Sequence, residues 1–284
     1  GLRREGVEFK SPCQATALEE HSDRVRIHAV RRQPVAMTSP ATYGEWEPIE
    51  SLSIEATFVL GADGYDSSVR ELLGLNTVRV GPLETFALFE GPQIGPESAM
   101  ALCLGSNQDS VLLPLPDQRM RWGFQMDAQL DRDPDLESLR KLLEARAPWQ
   151  FGLPQRVDWS VVTHFERRLA RGFGARRTWL VGDAAHVTSP FGGQSMNRGL
   201  SEAYDLIEAM TACISDQEPL EGVRQVGEQN ERQWQRLLSG ADGFELLAHA
   251  PPWLGEHAQR LVSALPVSGT DLEQTLEQLG LVMR

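Results

Sequence analysis

The sequence predicts a mixed α/β fold, because two buried strands each run into a glycine-containing turn and a helix, while other segments alternate like antiparallel strands. The clearest strand–turn–helix segment begins with the apolar residues 179–181 and continues through Gly182 and Asp183. From about Gln194, apolar residues recur every three or four positions as far as Ile214, which is helical spacing. Residues 58–74 repeat the arrangement, so a partly parallel sheet with packed helices is expected.

The N-terminal part predicts a small antiparallel meander. Strands are expected at residues 7–9, 14–18, 25–30 and 49–57, where apolar and polar residues alternate most clearly in the third strand. A buried strand at 58–60 is then followed by a helix from about Ser67. We expect Ser68 and Glu71 to form a capping box for this helix and Gly74 to end it.

The middle of the chain predicts a second domain built on a β-sheet. Strands are expected at 85–89, 99–104, 110–115, 121–126 and 155–165, with a helix at 134–147. Trp122 and Phe124 alternate on one strand, and a core position is favoured for them over a substrate pocket. A long helix should end near Ile214, resume after Pro219 and reach Leu238, followed by two short helices within 251–284. The helical faces around Tyr204 and Trp234 are predicted to be core.

Composition excludes several classes of function. The 284 residues carry a net charge of −13, and such a chain would be repelled by nucleic acid phosphates. No apolar run approaches the roughly 18 residues that span a bilayer, and no signal peptide is visible. Cys13, Cys103 and Cys213 lie far apart and form no metal-binding pattern. We therefore expect a cytoplasmic protein without membrane contact, disulfide framework or metal site.

Two segments resemble conserved motifs of one enzyme family. The motif GDAAHxxxPxxGQGxNxGxxDA is the second FAD motif of the para-hydroxybenzoate hydroxylase-like flavoprotein monooxygenases, and residues 182–203 are similar to it. The matching positions are Gly182, Asp183, Ala184, Ala185, His186, Pro190, Gly193, Gln194, Asn197, Gly199 and Ala203. Two positions depart, with Ser195 in place of Gly and Glu202 where Asp is usual. The earlier segment VLGADGYDSSVRELLG resembles the family's other internal motif, GADGxxSxVR.

The resemblance implies FAD as cofactor and NAD(P)H as electron donor. It places Asp183 at the flavin ribityl chain, Pro190 beside the isoalloxazine ring, and the backbone N–H groups of Met196 and Asn197 at the pyrimidine edge. Ser195 would cap the helix or narrow the flavin site. His186 is expected to be a packed, hydrogen-bonded residue. The candidate cofactor-binding residues are Asp63, Gly64, Arg70, Gly182, Asp183, Pro190, Gly193, Ser195, Met196 and Asn197.

The earlier motif is implied to lie near the flavin ribityl–pyrophosphate region and the nicotinamide donor. There Asp63 can accept hydrogen bonds, Gly64 lets the backbone approach closely, and Arg70 can meet phosphate charge. The basic residues Arg167, Arg168, Arg171, Arg176 and Arg177 could attract an anionic nicotinamide donor. A solvated surface turn is the favoured interpretation of that run. No catalytic side chain and no metal ligand are expected.

The family's N-terminal GxGxxG unit, which binds the ADP half of FAD, does not occur in this sequence. We therefore expect an N-terminally truncated chain or half of a split protein, which binds FAD poorly unless a separate N-terminal fragment completes the site. Residues 1–76 and 167–240 would form an incomplete Rossmann-like FAD-binding domain without its N-terminal βαβ unit. Residues 77–166 would form a substrate-binding β-sheet domain, and 241–284 the C-terminal helices.

The activity implied by the resemblance is NAD(P)H-dependent hydroxylation of an aromatic or otherwise electron-rich small molecule through a flavin hydroperoxide. Two alternatives stay open. One is a flavin-dependent halogenase or reductase on the same scaffold, although the tryptophan-halogenase motif WxWxIP is absent. The other is a truncated or degenerate homologue that acts as a partner subunit or has no activity alone.

Overall fold

The computed structural model describes residues 6–35, 46–95, 100–105, 108–127, 134–150, 152–188, 195–215, 219–238, 244–265 and 269–283. The chain divides into two compact units. The first contains Gly1–Val78, Leu169–Val187 and Met196–Trp234, and the second Arg79–Arg168, Thr188–Ser195 and Gln235–Arg284. The three-part domain division proposed from the sequence stays a prediction.

Runs of strands are interspersed with helices along the chain, so the predicted mixed α/β class is confirmed. The strands are β1 (Cys13–Glu20), β2 (Val25–Pro34), β3 (Trp46–Ala56), β4 (Val59–Gly61), β5 (Thr77–Arg79), β6 (Glu84–Pro92), β7 (Ala101–Cys103), β8 (Ser110–Leu115), β9 (Arg119–Met126), β10 (Trp159–Phe165), β11 (Arg168–Ala170), β12 (Gly174–Ala175), β13 (Thr178–Leu180), β14 (His186–Val187), β15 (Phe244–Leu246) and β16 (Leu281–Met283). The helices are α1 (Ser68–Leu72), α2 (Leu136–Arg146), α3 (Ser195–Ser215), α4 (Leu220–Leu238), α5 (Trp253–Ala264) and α6 (Gly269–Leu279).

The first unit contains the predicted antiparallel meander, in which β2 pairs with β1 on one side and β3 on the other. The strand predicted at 7–9 was wrong, because these residues lie in irregular backbone before β1. Val7 and Phe9 are 45% and 50% exposed, so little burial favours extended pairing there.

A parallel pair of strands organises the rest of this unit. β4 pairs with β13, placing Val59 opposite Thr178 and Gly61 opposite Leu180, and β12 pairs with the other side of β13. A third small sheet has the order β14–β11–β5. α1 packs tightly on the parallel pair, since a Cβ at Gly61 would lie 2.8 Å from both Leu180 Cδ2 and Val69 Cγ1.

The N-cap of α1 lies one residue before the position predicted from the sequence. The N-cap of α1 is Ser67, whose side chain accepts a hydrogen bond from the Arg70 N–H, so the predicted capping box at Ser68 and Glu71 was wrong. Ser67 is fully buried, and a buried cap fixes the point at which the turn becomes helix.

The two long helices differ in how their apolar faces are used. α3 buries Glu202, Leu206 and Met210, whereas Tyr204, on the face predicted to be core, is 61% exposed. That prediction was wrong because α3 carries apolar residues on two sides, and the side through Leu206 and Met210 is the one that packs. Trp234 of α4 is 5% exposed, which confirms the predicted core position.

The second unit is built on a five-stranded antiparallel sheet of order β10–β6–β9–β8–β7. One face packs against α2, where Trp122, Phe124 and Phe89 from the sheet meet Leu139 and Leu143 from the helix. The core positions predicted for Trp122 and Phe124 are therefore confirmed. The opposite face carries a second apolar cluster, in which buried and partly buried residues pack together: Phe86, Val111, Leu88, Leu102, Leu104, Leu113 and Phe165.

The C-terminal part contains the two predicted helices, α5 and α6, and a strand pair that the sequence did not predict. β15 pairs with β16 in antiparallel register, with Phe244 opposite Met283. Three-residue strands are too short for an alternating pattern to be recognised. Among the helices that the structure describes, none combines the length and apolar character needed to cross a membrane.

Candidate functional site

Two acidic turns lie at the same edge of the parallel strands. β4 runs into Asp63 and β13 into Asp183, and the strands stay paired to their ends through a hydrogen bond from Val181 N to Gly61 O, 3.0 Å long. We call residues 61–67 the first acidic turn and residues 181–185 the second acidic turn. The carboxyl edge of parallel strands is where α/β folds place their ligands.

In the first acidic turn the carboxylate is used by the protein itself. Asp63 Oδ1 accepts a hydrogen bond from the Ser67 hydroxyl, and Oδ2 accepts one of 3.0 Å from the Val69 N–H. These contacts close the amino end of α1 and account for Asp63 without a ligand. Gly64 has a φ of +83°, a conformation that side-chain-bearing residues rarely adopt.

Arg70 joins the two acidic turns. Its side chain is buried, with Nη1 donating to the carbonyl of Ala184 at 2.9 Å and Nη2 to the carbonyl of Tyr65 at 2.7 Å. Both acceptors are backbone oxygens, one from each turn, so the guanidinium acts as a clamp between them. The phosphate contact suggested for Arg70 by the sequence stays a prediction.

The second acidic turn presents a carboxylate that the protein does not use. Asp183 lies on an exposed 3₁₀ turn, and within the part of the chain that the structure describes its carboxylate has no hydrogen-bond or ion-pair partner. Gly182 has a φ of +59°, and a Cβ there would meet no atom within 4 Å. The backbone conformation at this position therefore requires glycine, whereas steric crowding does not, and the space beside the glycine is open.

Behind the second acidic turn lies a buried network centred on Glu202. This side chain is 5% exposed, and its Oε1 accepts hydrogen bonds of 2.7 Å from Gly182 N and from His186 Nε2. Its Oε2 accepts a third, also 2.7 Å, from Trp234 Nε1. The His186 ring is 1% exposed and stacks on Trp234 with centroids 3.5 Å apart, so it is a packed, hydrogen-bonded histidine as predicted.

From the sequence, Glu202 was only a departure from the family motif, with no predicted role. Its position was a signal, because Glu202 precedes the buried Leu206 and Met210 at four-residue intervals on the same face of α3. A carboxylate on the buried face of an amphipathic helix needs donors nearby, and the preceding glycine-rich turn supplies one.

The amino end of α3 passes directly over the second acidic turn. A Cβ at Gly199 would lie 3.4 Å from Gly182 Cα, which is ordinary van der Waals contact. The first N–H groups of a helix have no acceptor within the helix, and its dipole makes this end positive. Among the predicted site residues here, Ser195 is half-buried, whereas Met196 and Asn197 are exposed. Pro190 and Gly193 lie outside the described residues.

Positive charge also accompanies this end of the helix. Arg198 lies in the first turn of α3, where burial lowers the pKa of its guanidinium from the ordinary value. An arginine remains protonated at neutral pH despite such a shift. The amino end of α3 therefore combines a helix terminus with a fixed cation, an arrangement that favours an electron-rich or anionic group.

The basic run at 167–177 is not the simple solvated turn that the sequence favoured. Arg167 is paired with Glu84 at 3.7 Å, and their side chains are 15% and 7% exposed. Arg177 donates to the carbonyls of Ser22 and Thr57. Arg167 and Arg177 thus have acceptors within the protein, whereas Arg171 and Arg176 are exposed as the solvated-turn interpretation expects. The suggested attraction of a nicotinamide donor stays a prediction.

Comparison with known proteins identifies the family to which the chain is similar. A family model described as an FAD binding domain matches residues 4–238. The 6-methylpretetramide 4-monooxygenase of Streptomyces rimosus is 30% identical over 170 residues, covering 55% of this chain and 28% of that protein. The 3-(3-hydroxy-phenyl)propionate/3-hydroxycinnamic acid hydroxylase of Burkholderia cenocepacia (strain HI2424) is 30% identical over 171 residues, covering 58% of this chain and 31% of that protein.

Solved structures extend the similarity across most of the chain. The anhydrotetracycline hydroxylase OxyS of Streptomyces rimosus has a TM-score of 0.57 and 22% identity, covering 92% of this chain and 47% of that one. At this identity the match shows the fold alone. The chain thus spans about a third of the two curated relatives and about half of the solved structure. The family match confirms the resemblance predicted from the two sequence motifs.

Proposed function

The chain belongs to the FAD binding domain family, and we propose that the second acidic turn and the amino end of α3 bind the flavin portion of FAD. The observation that carries this proposal is the exposed Asp183 carboxylate, which has no partner among the described residues. A carboxylate accepts hydrogen bonds and donates none, so it suits the hydroxyl groups of a ribityl chain. The open space beside Gly182 leaves room for the cofactor backbone to approach.

We assign the remaining contacts by the chemistry of each group. The N–H groups of Met196 and Asn197 would meet the electron-rich pyrimidine edge of the flavin, where the dipole of α3 favours negative charge. Ser195 would cap the same helix end. Gly64 of the first acidic turn and Arg70 of α1 would lie nearer the pyrophosphate, with Arg70 holding the two turns in register.

When bound, FAD would supply the redox chemistry, taking electrons from NAD(P)H and using molecular oxygen to hydroxylate an aromatic or other electron-rich small molecule. The names of the relatives, a monooxygenase and a hydroxylase, support this activity over the halogenase alternative. The protein's part is to orient the reactants and exclude water. The apolar sheet face around Phe86 and Val111, with Leu88 and Leu113 partly buried, suits an aromatic substrate.

We further propose that the ADP half of FAD is bound by a polypeptide segment outside these 284 residues, in the same protein or a separate fragment. No GxGxxG motif occurs in the sequence, and β4 is the terminal strand of its small sheet as described. Parallel strands are normally covered on both sides, so a further parallel strand beside β4 fits this edge. This chain alone should therefore bind FAD weakly.

The experiment is a titration of the purified chain with FAD, followed by flavin fluorescence and calorimetry. We expect weak but saturable binding that falls about tenfold in Asp183→Ala, the loss of roughly one charge-assisted hydrogen bond. Glu277→Ala, an exposed carboxylate on α6, is the matched control and should bind as wild type does. Absence of saturable binding, or equal affinity in both variants, would contradict the proposed site.

A second assay separates the enzyme from an inactive partner subunit. NAD(P)H oxidation and oxygen consumption are measured with FAD, with and without a panel of phenols. Oxidation stimulated by a phenol, with a hydroxylated product, supports the monooxygenase. FAD binding without any turnover, even after adding a GxGxxG-containing fragment from a relative, favours the partner-subunit alternative.

A further inference from the structure

We propose that Glu202 is a positioning residue, which fixes the second acidic turn so that the Asp183 carboxylate points into the cofactor site. The inference rests on the proposed function in one respect, namely that the ligand of Asp183 is FAD. It concerns a buried side chain that does not itself touch the cofactor and acts through the backbone of the turn.

Three hydrogen bonds from separate elements converge on the Glu202 carboxylate. Glu202 on α3 accepts hydrogen bonds from the 3₁₀ turn at Gly182, from β14 at His186 and from α4 at Trp234. Gly182 N belongs to the residue directly before Asp183. Holding this N–H orients the Val181–Gly182 peptide, one residue before Asp183, and the three contacts together fix the turn relative to two helices.

The donors around Glu202 are themselves held rigidly. A carboxylate oxygen only accepts hydrogen bonds, so His186 Nε2 donates to Glu202, while within the described structure Nδ1 is buried without a hydrogen-bond partner. Stacking against Trp234, with ring planes 18° apart, prevents the imidazole from turning away. His186 and Trp234, two of the three donors, thus hold each other in place, and the Glu202 carboxylate has little freedom to move.

The length of the Glu202 side chain matches the positions of its three donors. The family motif usually has Asp at this position, and Glu places its carboxylate one methylene farther from α3. A single Oε1 contacts both Gly182 and His186 while Oε2 reaches Trp234, which uses the full length of the side chain. A shorter acid keeps the negative charge but should not reach all three donors. Charge and reach can therefore be separated by substitution.

The first experiment measures the turn without any flavin. Residue-resolved amide hydrogen exchange by NMR reports the Gly182 N–H in wild type, Glu202→Gln, Glu202→Asp and Trp234→Phe. We expect exchange at least about tenfold faster in Glu202→Gln, because an amide group presents an N–H towards one of the donors. Trp234→Phe keeps the ring stack and removes one donor, so it should accelerate exchange less. As a control, Glu273→Gln changes an exposed residue of α6, and the Gly182 N–H of this variant should exchange at the wild-type rate.

The second experiment asks whether Glu202 acts through Asp183. FAD affinity is measured in Glu202→Gln, Asp183→Ala and the double variant. If Glu202 positions Asp183, its substitution weakens FAD binding in the wild-type background about tenfold and has little further effect in the Asp183→Ala background. A purely structural role would lower affinity by the same factor in both backgrounds. Circular dichroism confirms that each variant is folded, and Trp234→Phe replaces Glu202→Gln if the latter is not.

The outcomes separate this inference from the proposed function. Unchanged Gly182 exchange in Glu202→Gln and Trp234→Phe overturns the positioning role, whatever the flavin data show. Accelerated exchange together with additive losses of affinity also overturns it. If wild type binds no FAD while exchange accelerates as expected, the flavin site fails and the fixing of the turn by Glu202 stands.

Discussion

The two acidic turns begin alike and end differently. Each follows a short parallel strand, and each places an aspartate at the same edge of the sheet. The Asp63 carboxylate caps its own helix, since Ser67 and Val69 donate hydrogen bonds to its two oxygens. Asp183 has neither contact, because Glu202 holds the backbone of its turn from behind.

The difference shows what makes a strand-end aspartate available for binding. An aspartate whose turn runs straight into a helix finds free N–H groups within four to six residues and caps them. An aspartate whose turn is stabilised by another acid can keep its carboxylate exposed. In this chain the exposed aspartate depends on a buried hydrogen-bond network behind its turn. The capping aspartate depends on a serine that donates a hydrogen bond to it.

Arg70→Met is expected to produce the largest effect, because it removes the clamp between the turns. Two hydrogen bonds from a buried guanidinium are lost, and the carbonyls of Tyr65 and Ala184 lose their donors. We expect a loss of about 3 kcal/mol in the free energy of unfolding, measured by urea denaturation. Arg232→Met, a 58% exposed side chain on α4, serves as control and should change stability by less than about 0.5 kcal/mol.

Asp183→Ala should weaken FAD binding about tenfold, roughly 1.4 kcal/mol, while leaving the free energy of unfolding unchanged. The reason is that the carboxylate makes no contact among the described residues and so contributes nothing to the fold there. Calorimetric titration measures the FAD affinity of the variant, and urea denaturation of the same sample measures its free energy of unfolding. A destabilised variant would show that Asp183 also holds its turn together, which removes the contrast with Asp63.

Asp63→Ala should show the opposite profile. Losing the acceptor for Val69 N–H and for the Ser67 hydroxyl weakens the start of α1, and we expect about 1 kcal/mol of destabilisation. FAD affinity should fall less than in Asp183→Ala. Thermal unfolding measures the destabilisation, and flavin titration measures the FAD affinity. Equal losses of FAD affinity in the two variants would mean that the two turns contribute equally to FAD binding.

Leu200→Gln should have the smallest effect. Leu200 follows the second acidic turn on the exposed side of α3 and is 64% exposed, so the free energy of unfolding should change by less than about 0.5 kcal/mol. Leu206→Ala, on the buried side of the same helix, should cost about 3 kcal/mol. Urea denaturation compares them, and similar losses would mean that both sides of α3 are packed in solution.

The sequence predicted the two turns because they combine buried strands, glycine and aspartate in long, irregular motifs. It also predicted the meander, the five-stranded sheet's principal strands and the core role of Trp122. It could not show that Tyr204 is exposed, because spacing alone does not tell which of two apolar sides of α3 is packed. The donors to Glu202 were equally hidden, since they are separated from it by 16 to 32 residues, although its place on the buried face of α3 indicated that it needed donors.

The exposed side of α3 has a consequence for the behaviour of the chain in solution. On one side of α3, Met196, Leu200, Tyr204, Ile207 and Ile214 follow one another at intervals of three, four or seven residues, and each is at least half exposed. Copies of the chain are kept apart by their net charge of −13. Between about 0.01 M and 1 M salt the Debye length falls from roughly 30 Å to 3 Å, so this repulsion fades while apolar contact persists. Light scattering should therefore detect reversible self-association that increases with salt, and charged residues along this stripe should suppress it.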